Sequence, residues 1–184
     1  EAKALRYAFF TERQARVVPD IPKDTPISEI ESVAVIGGGT MGSGITMTCA
    51  DAGLPVRILE VNDEALERAM QKIRDTYMVS VKRGSITGEQ VEERMARITP
   101  VTAYADISDA DIVIEAVFER MDVKKPVFEQ IDQAMKQGAI LASNTSALDI
   151  DEIATATNRP EMIIGTHFFS PANVMKLLEI VRGE

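Results

Sequence analysis

Apolar residues along the chain follow two regimes. Over the first sixteen positions Leu5, Ala8, Phe9 and Phe10 line one stripe among charges, which predicts an amphipathic helix from Glu1 to Arg16. Prolines at 19, 22 and 26 forbid regular structure after it and predict an extended connector. The helix is then an arm whose apolar face expects a partner. From Ser32 onward, short β-branched runs alternate with helical patterns. SVAVI, VRILE, RITPV, DIVIEAV, AILASN, MIIGTHFF and LLEIV are the extended runs, and the first is apolar as in a strand buried on both faces.

Helices are predicted between these runs. One carries Met41, Ile45, Cys49 and Ala52 and ends at Gly53; the next is capped by Asn62 or Asp63 and carries Leu66, Met70, Ile73 and Tyr77. EQVEERMARI makes a shorter helix, VFEQIDQAM a helix ended by Gly138, and LDIDEIATAT a short one with Asp149 near its start. Strand and helix in alternation predict an α/β fold, a doubly wound and mostly parallel sheet covered on both faces. The expected boundary leaves 1–27 as linker helix and connector and 28–184 as the sheet domain. Right-handed crossovers then place a ligand crevice at the carboxyl ends of the strands.

Composition narrows the function classes. A formal net charge of -9 argues against a nucleic-acid partner, which needs a surplus of Lys and Arg on one face. Cys49 is the single cysteine, so no intramolecular disulfide can form and a reducing compartment is the simpler expectation. Its place in a helical pattern predicts a small buried hydrophobe. No apolar run approaches the roughly eighteen residues that span a bilayer, and the first residues lack the pattern of a signal peptide. With no initiator Met before Glu1, the chain is expected to be a piece of something longer. One His and one Cys offer no metal-ligand cluster.

Chemistry enters with VAVIGGGTMGSGI. Gly37 permits a tight turn off the strand, Gly39 lets backbone approach a diphosphate, and Gly42 lets the helix pack closely. The start of the helix offers unsatisfied N–H groups to the phosphates. Glu60 ends the second strand near the spacing at which an acidic residue accepts the ribose hydroxyls of NAD. A carboxylate there would repel the 2′-phosphate of NADP, so NAD is the cofactor expected.

His167 is the only histidine, and an alcohol-oxidising enzyme needs a base of its kind. Read alone, a single His beside aromatics is more often a packed, hydrogen-bonded core residue than a catalyst. Glu179 is the only charge within LLEIV, where a buried carboxylate needs a partner; strands side by side would let it bond one imidazole nitrogen. A surface-facing Glu on an edge strand is the alternative. Asn144, Thr145 and Ser146 stand at the mouth of another strand, placed to bind nicotinamide, ribose or substrate oxygen, or to cap the next helix, for which Ser146 is well placed. Glu119 and Lys124 are placed either to reach the nicotinamide ribose or to be solvated charges at a helix start.

Together VIGGGTMGSGI, IEAVFERMDVKK, LASNTSAL and RPEMIIGTHFFSPANVMKLLEIVRGE resemble the NAD-binding domain of L-3-hydroxyacyl-CoA dehydrogenases, over about residues 30 to 184. ALRYAFFTERQARVVPDIP resembles the linker helix before this domain in the alpha subunit of the bacterial fatty-acid β-oxidation multienzyme complex, where a hydratase/isomerase part comes first. The resemblance implies a Rossmann-type fold, NAD as cofactor, and oxidation of (S)-3-hydroxyacyl-CoA to 3-oxoacyl-CoA. It implies His167 as general base, Glu179 as its orienting partner, and Ser146 near the substrate 3-hydroxyl and the cofactor. Gly37, Gly39, Thr40, Met41 and Gly42 would follow the diphosphate and Glu60 the adenosine ribose. Val117, Phe118, Glu119 and Lys124 would line the nicotinamide side, with Asn144 beside them. Ser170 stands where the family has an Asn near the nicotinamide, and the chain stops at Glu184, before the family's helical domain. Acyl-CoA, the hydratase and helical parts, a thiolase subunit and a bacterial cytoplasm are the partners and setting implied. The competing expectations are a monofunctional 3-hydroxybutyryl-CoA dehydrogenase, a non-catalytic NAD-binding module, and another two-domain β-hydroxyacid dehydrogenase with a catalytic Lys.

Overall fold

The computed structural model describes every residue except Arg16, Pro19 and Lys23. The first helix, α1 (Ala2–Gln14), buries none of its residues. Its expected end at Arg16 and the proline at 19 lie outside the described residues, and residues 25–32 form neither helix nor strand.

The alternating elements then follow in order. They are β1 (Val33–Ile36), α2 (Thr40–Asp51), β2 (Val56–Leu59), α3 (Asp63–Lys82), α4 (Gly88–Met95), β3 (Ile98–Val101), β4 (Ile112–Glu115), α5 (Met121–Ala134), β5 (Ile140–Ser143), α6 (Ile150–Ala154), β6 (Ile163–Phe168) and β7 (Leu178–Arg182). The strands form one sheet in the order β3-β2-β1-β4-β5-β6-β7. All neighbours run parallel except β7, which pairs antiparallel with β6. An antiparallel strand needs no crossover helix, so the short link 169–177 suffices to reach the edge.

Period-two alternation splits the core into two layers. Val33 and Val35 of β1, with Ile114 and Ala142, pack toward α2 and α3, where Ile45, Met47, Ile73 and Tyr77 meet them. Ala34, Ile36, Val113 and Leu141 face the other way, against Phe128 and Ile131 of α5 and Ile153 of α6. Burial on both faces explains why the central strands are apolar runs rather than alternating ones. Helix starts follow local chemistry: Asn62 accepts the Ala65 N–H, Thr87 and Gln90 form a capping box, and Asp149 caps α6. Ser146, expected as a cap for α6, does not serve as one, because the α6 amides are taken by the Asp149 carboxylate.

The strand order reverses between β1 and β4. In a doubly wound sheet the loops diverge there and open a crevice at the carboxyl ends.

Candidate active site

The glycine turn occupies residues 37–39, between β1 and α2. Gly37 has φ +94°, which side chains other than glycine's rarely allow. Its N–H donates to the Leu59 carbonyl at 2.9 Å, tying the turn to β2. A Cβ on Gly42 would stand 1.6 Å from the Gly37 carbonyl oxygen, so the first turn of α2 closes on the loop only without one. Gly38 has a reason of its own that spacing did not show: its Cβ would meet that of Ala69, on α3, at 2.3 Å. Gly39 differs, since a Cβ there would have no atom within 4 Å. Among the described residues nothing requires glycine at 39, and no side chain caps the start of α2. Open space over bare backbone at a helix N-terminus fits a diphosphate. Thr40, exposed on the first turn, accepts a hydrogen bond from Lys72 Nζ at 3.0 Å, while Met41 packs on the core.

Glu60 lies one residue past β2 and reaches back to the turn. Its Oε1 accepts the Gly38 N–H at 2.6 Å and its Oε2 the Val61 N–H at 3.1 Å. A carboxylate held there accepts further hydrogen bonds from a diol and repels a phosphate, which fits the ribose of NAD.

Across the switch point, β4 leads into Val117, Phe118 and Glu119, and β5 into Asn144, Thr145 and Ser146. Glu119 gathers the second loop: its Oε1 accepts from Thr145 Oγ1 at 2.5 Å, the Ser146 N–H at 2.8 Å and Ser146 Oγ at 3.3 Å. Partial burial pulls the Glu119 carboxyl upward, but Thr145, the Ser146 amide and the Lys124 ammonium outweigh it and hold the group below the usual carboxylate range. Phe118 is exposed beside it. Asn144 is a clasp between strands, its Oδ1 accepting the Phe168 N–H at 3.0 Å. Lys124 corrects the expectation of a solvated charge at a helix start. Its side chain is 0% exposed, and its Nζ lies 2.7 Å from Glu115, a residue that sequence reasoning passed over. Lys124 shares the inward stripe of α5 with Phe128 and Ile131, and that phase was the available signal.

His167 and Glu179 sit directly opposite each other in the β6–β7 register. His167 Nδ1 lies 2.9 Å from Glu179 Oε2, and the ring stacks on Phe169 at 4.6 Å. A carboxylate oxygen accepts, so Nδ1 carries the proton and Nε2 is left as an acceptor. The pairing arises without the burial expected of Glu179. Its side chain is 53% exposed, because β7 is an edge strand whose every residue is exposed. Ser170 is exposed just past β6.

The glycine turn, Glu60, the 117–119 and 144–146 loops and His167 therefore share one edge of the sheet; Glu179 joins them from the start of antiparallel β7. Among the described residues, no three His, Cys, Asp or Glu side chains cluster to hold a metal ion, and no helix is long and apolar enough to cross a membrane.

Known proteins similar to this chain include multifunctional β-oxidation proteins and shorter dehydrogenases. The peroxisomal bifunctional enzyme of Cavia porcellus is 44% identical over 98% of this chain, which spans 25% of that protein. A probable 3-hydroxybutyryl-CoA dehydrogenase of Bacillus subtilis is 43% identical over 84% of the chain and 54% of its own length. Among solved structures, an (S)-3-hydroxybutyryl-CoA dehydrogenase from Ralstonia eutropha superposes with a TM-score of 0.82 at 37% identity, covering 84% of this chain and 55% of that one. The chain thus spans about a quarter of its multifunctional relatives and about half of the shorter ones. The family model for the 3-hydroxyacyl-CoA dehydrogenase NAD-binding domain matches residues 32–184, so the chain belongs to that family and NAD is its cofactor.

Proposed function

We propose that the parent protein oxidises (S)-3-hydroxyacyl-CoA to 3-oxoacyl-CoA in fatty-acid β-oxidation. The observation that carries this reading is the His167–Glu179 pair, held across the β6–β7 register at the cofactor edge of the sheet. NAD, when bound, supplies the hydride acceptor. Glu179 fixes the His167 tautomer, and Nε2 takes the proton of the substrate 3-hydroxyl as C3 gives up its hydride. Ser146 offers its hydroxyl beside the same oxygen. Glu60 and the glycine turn hold the adenosine half of the cofactor; Val117, Phe118, Glu119, Asn144 and Ser170 border the nicotinamide half, with Lys124 beneath them.

We read the parent as multifunctional, with enoyl-CoA hydratase before this domain. The multifunctional relatives align with 98–100% of the chain, arm included, whereas the Bacillus subtilis dehydrogenase aligns with 84%. Residues 1–27 are then the linker and 28–184 the NAD-binding domain. Exposed Leu5, Phe9 and Phe10 on α1 suit packing against a neighbouring part of the parent. Exposed Leu177, Leu178, Ile180 and Val181 flank Glu179 and suit a following helical domain that closes the pocket. A thiolase subunit as further partner rests on the resemblance to the bacterial complex. A bacterial cytoplasm as the setting rests on the resemblance to the bacterial complex; the Bacillus subtilis relative is bacterial, and the peroxisomal relatives support an organelle.

In a full-length parent, His167→Ala is expected to lower dehydrogenase turnover about 10²- to 10⁴-fold and to leave NAD affinity nearly intact. Turnover at the wild-type rate would refute the role of His167. The 184-residue chain itself is expected to bind NADH yet show negligible 3-oxoacyl-CoA-dependent NADH oxidation. Robust oxidation by the chain alone would show that no further domain completes the site.

A further inference from the structure

Beneath the site lies a layer of buried charge that the proposed hydride transfer does not use. Glu115 ends β4 and Lys124 lies on α5, and both side chains are 0% exposed. Lys124 Nζ donates to Glu115 Oε1 and Oε2 at 2.7 and 2.8 Å. The Ser143 hydroxyl, from the end of β5, donates to Oε2 at 2.7 Å, and the Val117 N–H donates to Oε1 at 2.7 Å. The ammonium has one more carboxylate within reach, Glu119 Oε2 at 3.3 Å. The other oxygen of Glu119 holds Thr145 and Ser146. A continuous path therefore runs from the sheet interior to the exposed loop: Ser143, Glu115, Lys124, Glu119, then Thr145 and Ser146.

Stability does not explain this layer. Removing two charges from water costs about as much as their attraction returns, and apolar residues of like volume usually serve as well or better. What a buried pair does supply is fixed geometry. Lys124 sits between two carboxylates, and the inner one is saturated by donors from β5, α5 and the 117 backbone. Without Glu115, the ammonium would have Glu119 as its sole counter-charge. At low dielectric it would close on that group and draw it from Thr145 and Ser146.

We propose that Glu115 is a positioning residue of the NAD site: by holding Lys124 and the Val117 amide, it keeps the Glu119 carboxylate turned outward against Thr145 and Ser146, where it receives a hydroxyl of the nicotinamide ribose. This rests on the reading of Glu119 as a cofactor contact. The chemistry suits the ligand, because an ionised carboxylate only accepts hydrogen bonds and a ribose diol only needs acceptors for its two O–H groups.

The test compares four variants of the 184-residue chain: Glu115→Gln, Glu115→Leu with Lys124→Met, Glu119→Gln, and Glu115→Gln with Glu119→Gln. NADH and 5′-AMP affinities are titrated and melting temperatures recorded. Glu115→Gln, which keeps the shape and leaves the ammonium facing Glu119 alone, is expected to bind NADH about tenfold or more weakly, as for loss of a hydrogen bond to a charged group. Its affinity for AMP, which occupies only the adenosine half, is expected to be unchanged; a general structural defect would weaken AMP as well. Glu115→Leu with Lys124→Met has no ammonium to draw Glu119 inward, so it is expected to bind NADH more tightly than Glu115→Gln; no recovery there would overturn the positioning role. Glu115→Gln with Glu119→Gln is expected to bind NADH no more weakly than Glu119→Gln alone, since one effect acts through the other. Wild-type NADH affinity in Glu115→Gln, beside a weakened Glu119→Gln, would overturn the positioning role and leave Glu119 as a contact. Wild-type affinity in Glu119→Gln would overturn the contact, and the positioning role with it.

Discussion

Two glycines three positions apart should fail in opposite ways. At Gly42 a Cβ would lie 1.6 Å from the Gly37 carbonyl oxygen and 2.8 Å from its carbon. Both are backbone atoms, so no side chain can swing aside, and the turn must retreat by more than about 1 Å to restore ordinary contact. That retreat pulls on the Gly37 N–H bond to Leu59 and the Gly38 N–H bond to Glu60. Overpacking of this kind costs about 1–3 kcal/mol, and two strained hydrogen bonds add about 1 kcal/mol each. Gly42→Ala should therefore lose about 3–5 kcal/mol, a fall in Tm of roughly 6–20 °C for a chain of this size. Gly39→Ala meets no atom within 4 Å and keeps an ordinary φ of -63°. The entropy lost from its unfolded chain and the poorer helix cap nearly offset, leaving a change of about 1 kcal/mol or less. Its methyl instead enters the space assigned to the diphosphate, so NADH affinity should fall about 5- to 150-fold. Thermal melts and NADH fluorescence titrations separate the two. Wild-type NADH affinity in Gly39→Ala would show that the open space is not the diphosphate seat, and a wild-type Tm for Gly42→Ala would refute the packing argument.

The remaining predictions concern the fold. Arg159 donates to the carbonyls of Asp132, Met135 and Lys136 at 2.6, 3.0 and 2.7 Å, closing the C-terminal end of α5, and to the Asp132 carboxylate at 2.7 Å. Arg159→Ala should cost about 2–4 kcal/mol by urea unfolding at pH 7; a loss under about 0.5 kcal/mol would mean water replaces the guanidinium freely. Burial pulls the Asp132 carboxyl upward, but Asn158 and Arg159 outweigh it and hold it below the usual range. A group depressed on folding contributes above its unfolded pKa of about 3.9 and loses that contribution as pH falls through the folded value. The stability gap between wild type and Asp132→Asn should accordingly shrink below about pH 4, and a gap that widens there would reverse the sign. Burial pushes the Cys49 thiol up to about 11. The side chain is only partly buried, so thiol reagents at pH 8 should label it in the folded chain but more slowly than a free thiol, and labelling at the rate of a free thiol would contradict its packing.

Much of the fold was legible because a sheet covered on both faces imposes a strong pattern. Strands such as VAVI need apolar residues at every position, and the helices between them need only one stripe, so runs and stripes alternate visibly. The strand ends were legible too, since glycines and short polar loops interrupt that pattern where the crevice opens. The edge was ambiguous. LLEIV is as apolar as a central strand, so Glu179 read either as a buried carboxylate or as a surface-facing one on an edge strand; β7 has a neighbour on one side only and exposes every residue, which is the second case. Hydropathy reports what a strand can bury, and strand order decides what it does bury. The pairing with His167 does not depend on which reading holds, because antiparallel register, not burial, brings the two side chains together.

Glu115 was passed over, and one of the two readings of Lys124, a solvated charge, was wrong, because residue type was weighed and phase was not. Lys124, Phe128 and Ile131 recur on one stripe of α5, and Glu115 follows Val113 by two on the face of β4 that α5 covers. Phase alone puts both charges inside, and neither can stay there unpaired. Opposite charges nine residues apart, on a strand and on the helix that returns over it, are each other's nearest remedy. A lysine on an inward stripe is thus a stronger signal than a lysine at a helix start, because desolvation demands a partner and the partner must lie on the adjoining element. Applied to this chain, that reasoning leads from Lys124 to Glu115, and from the same ammonium outward to Glu119 and the loop proposed to meet the cofactor.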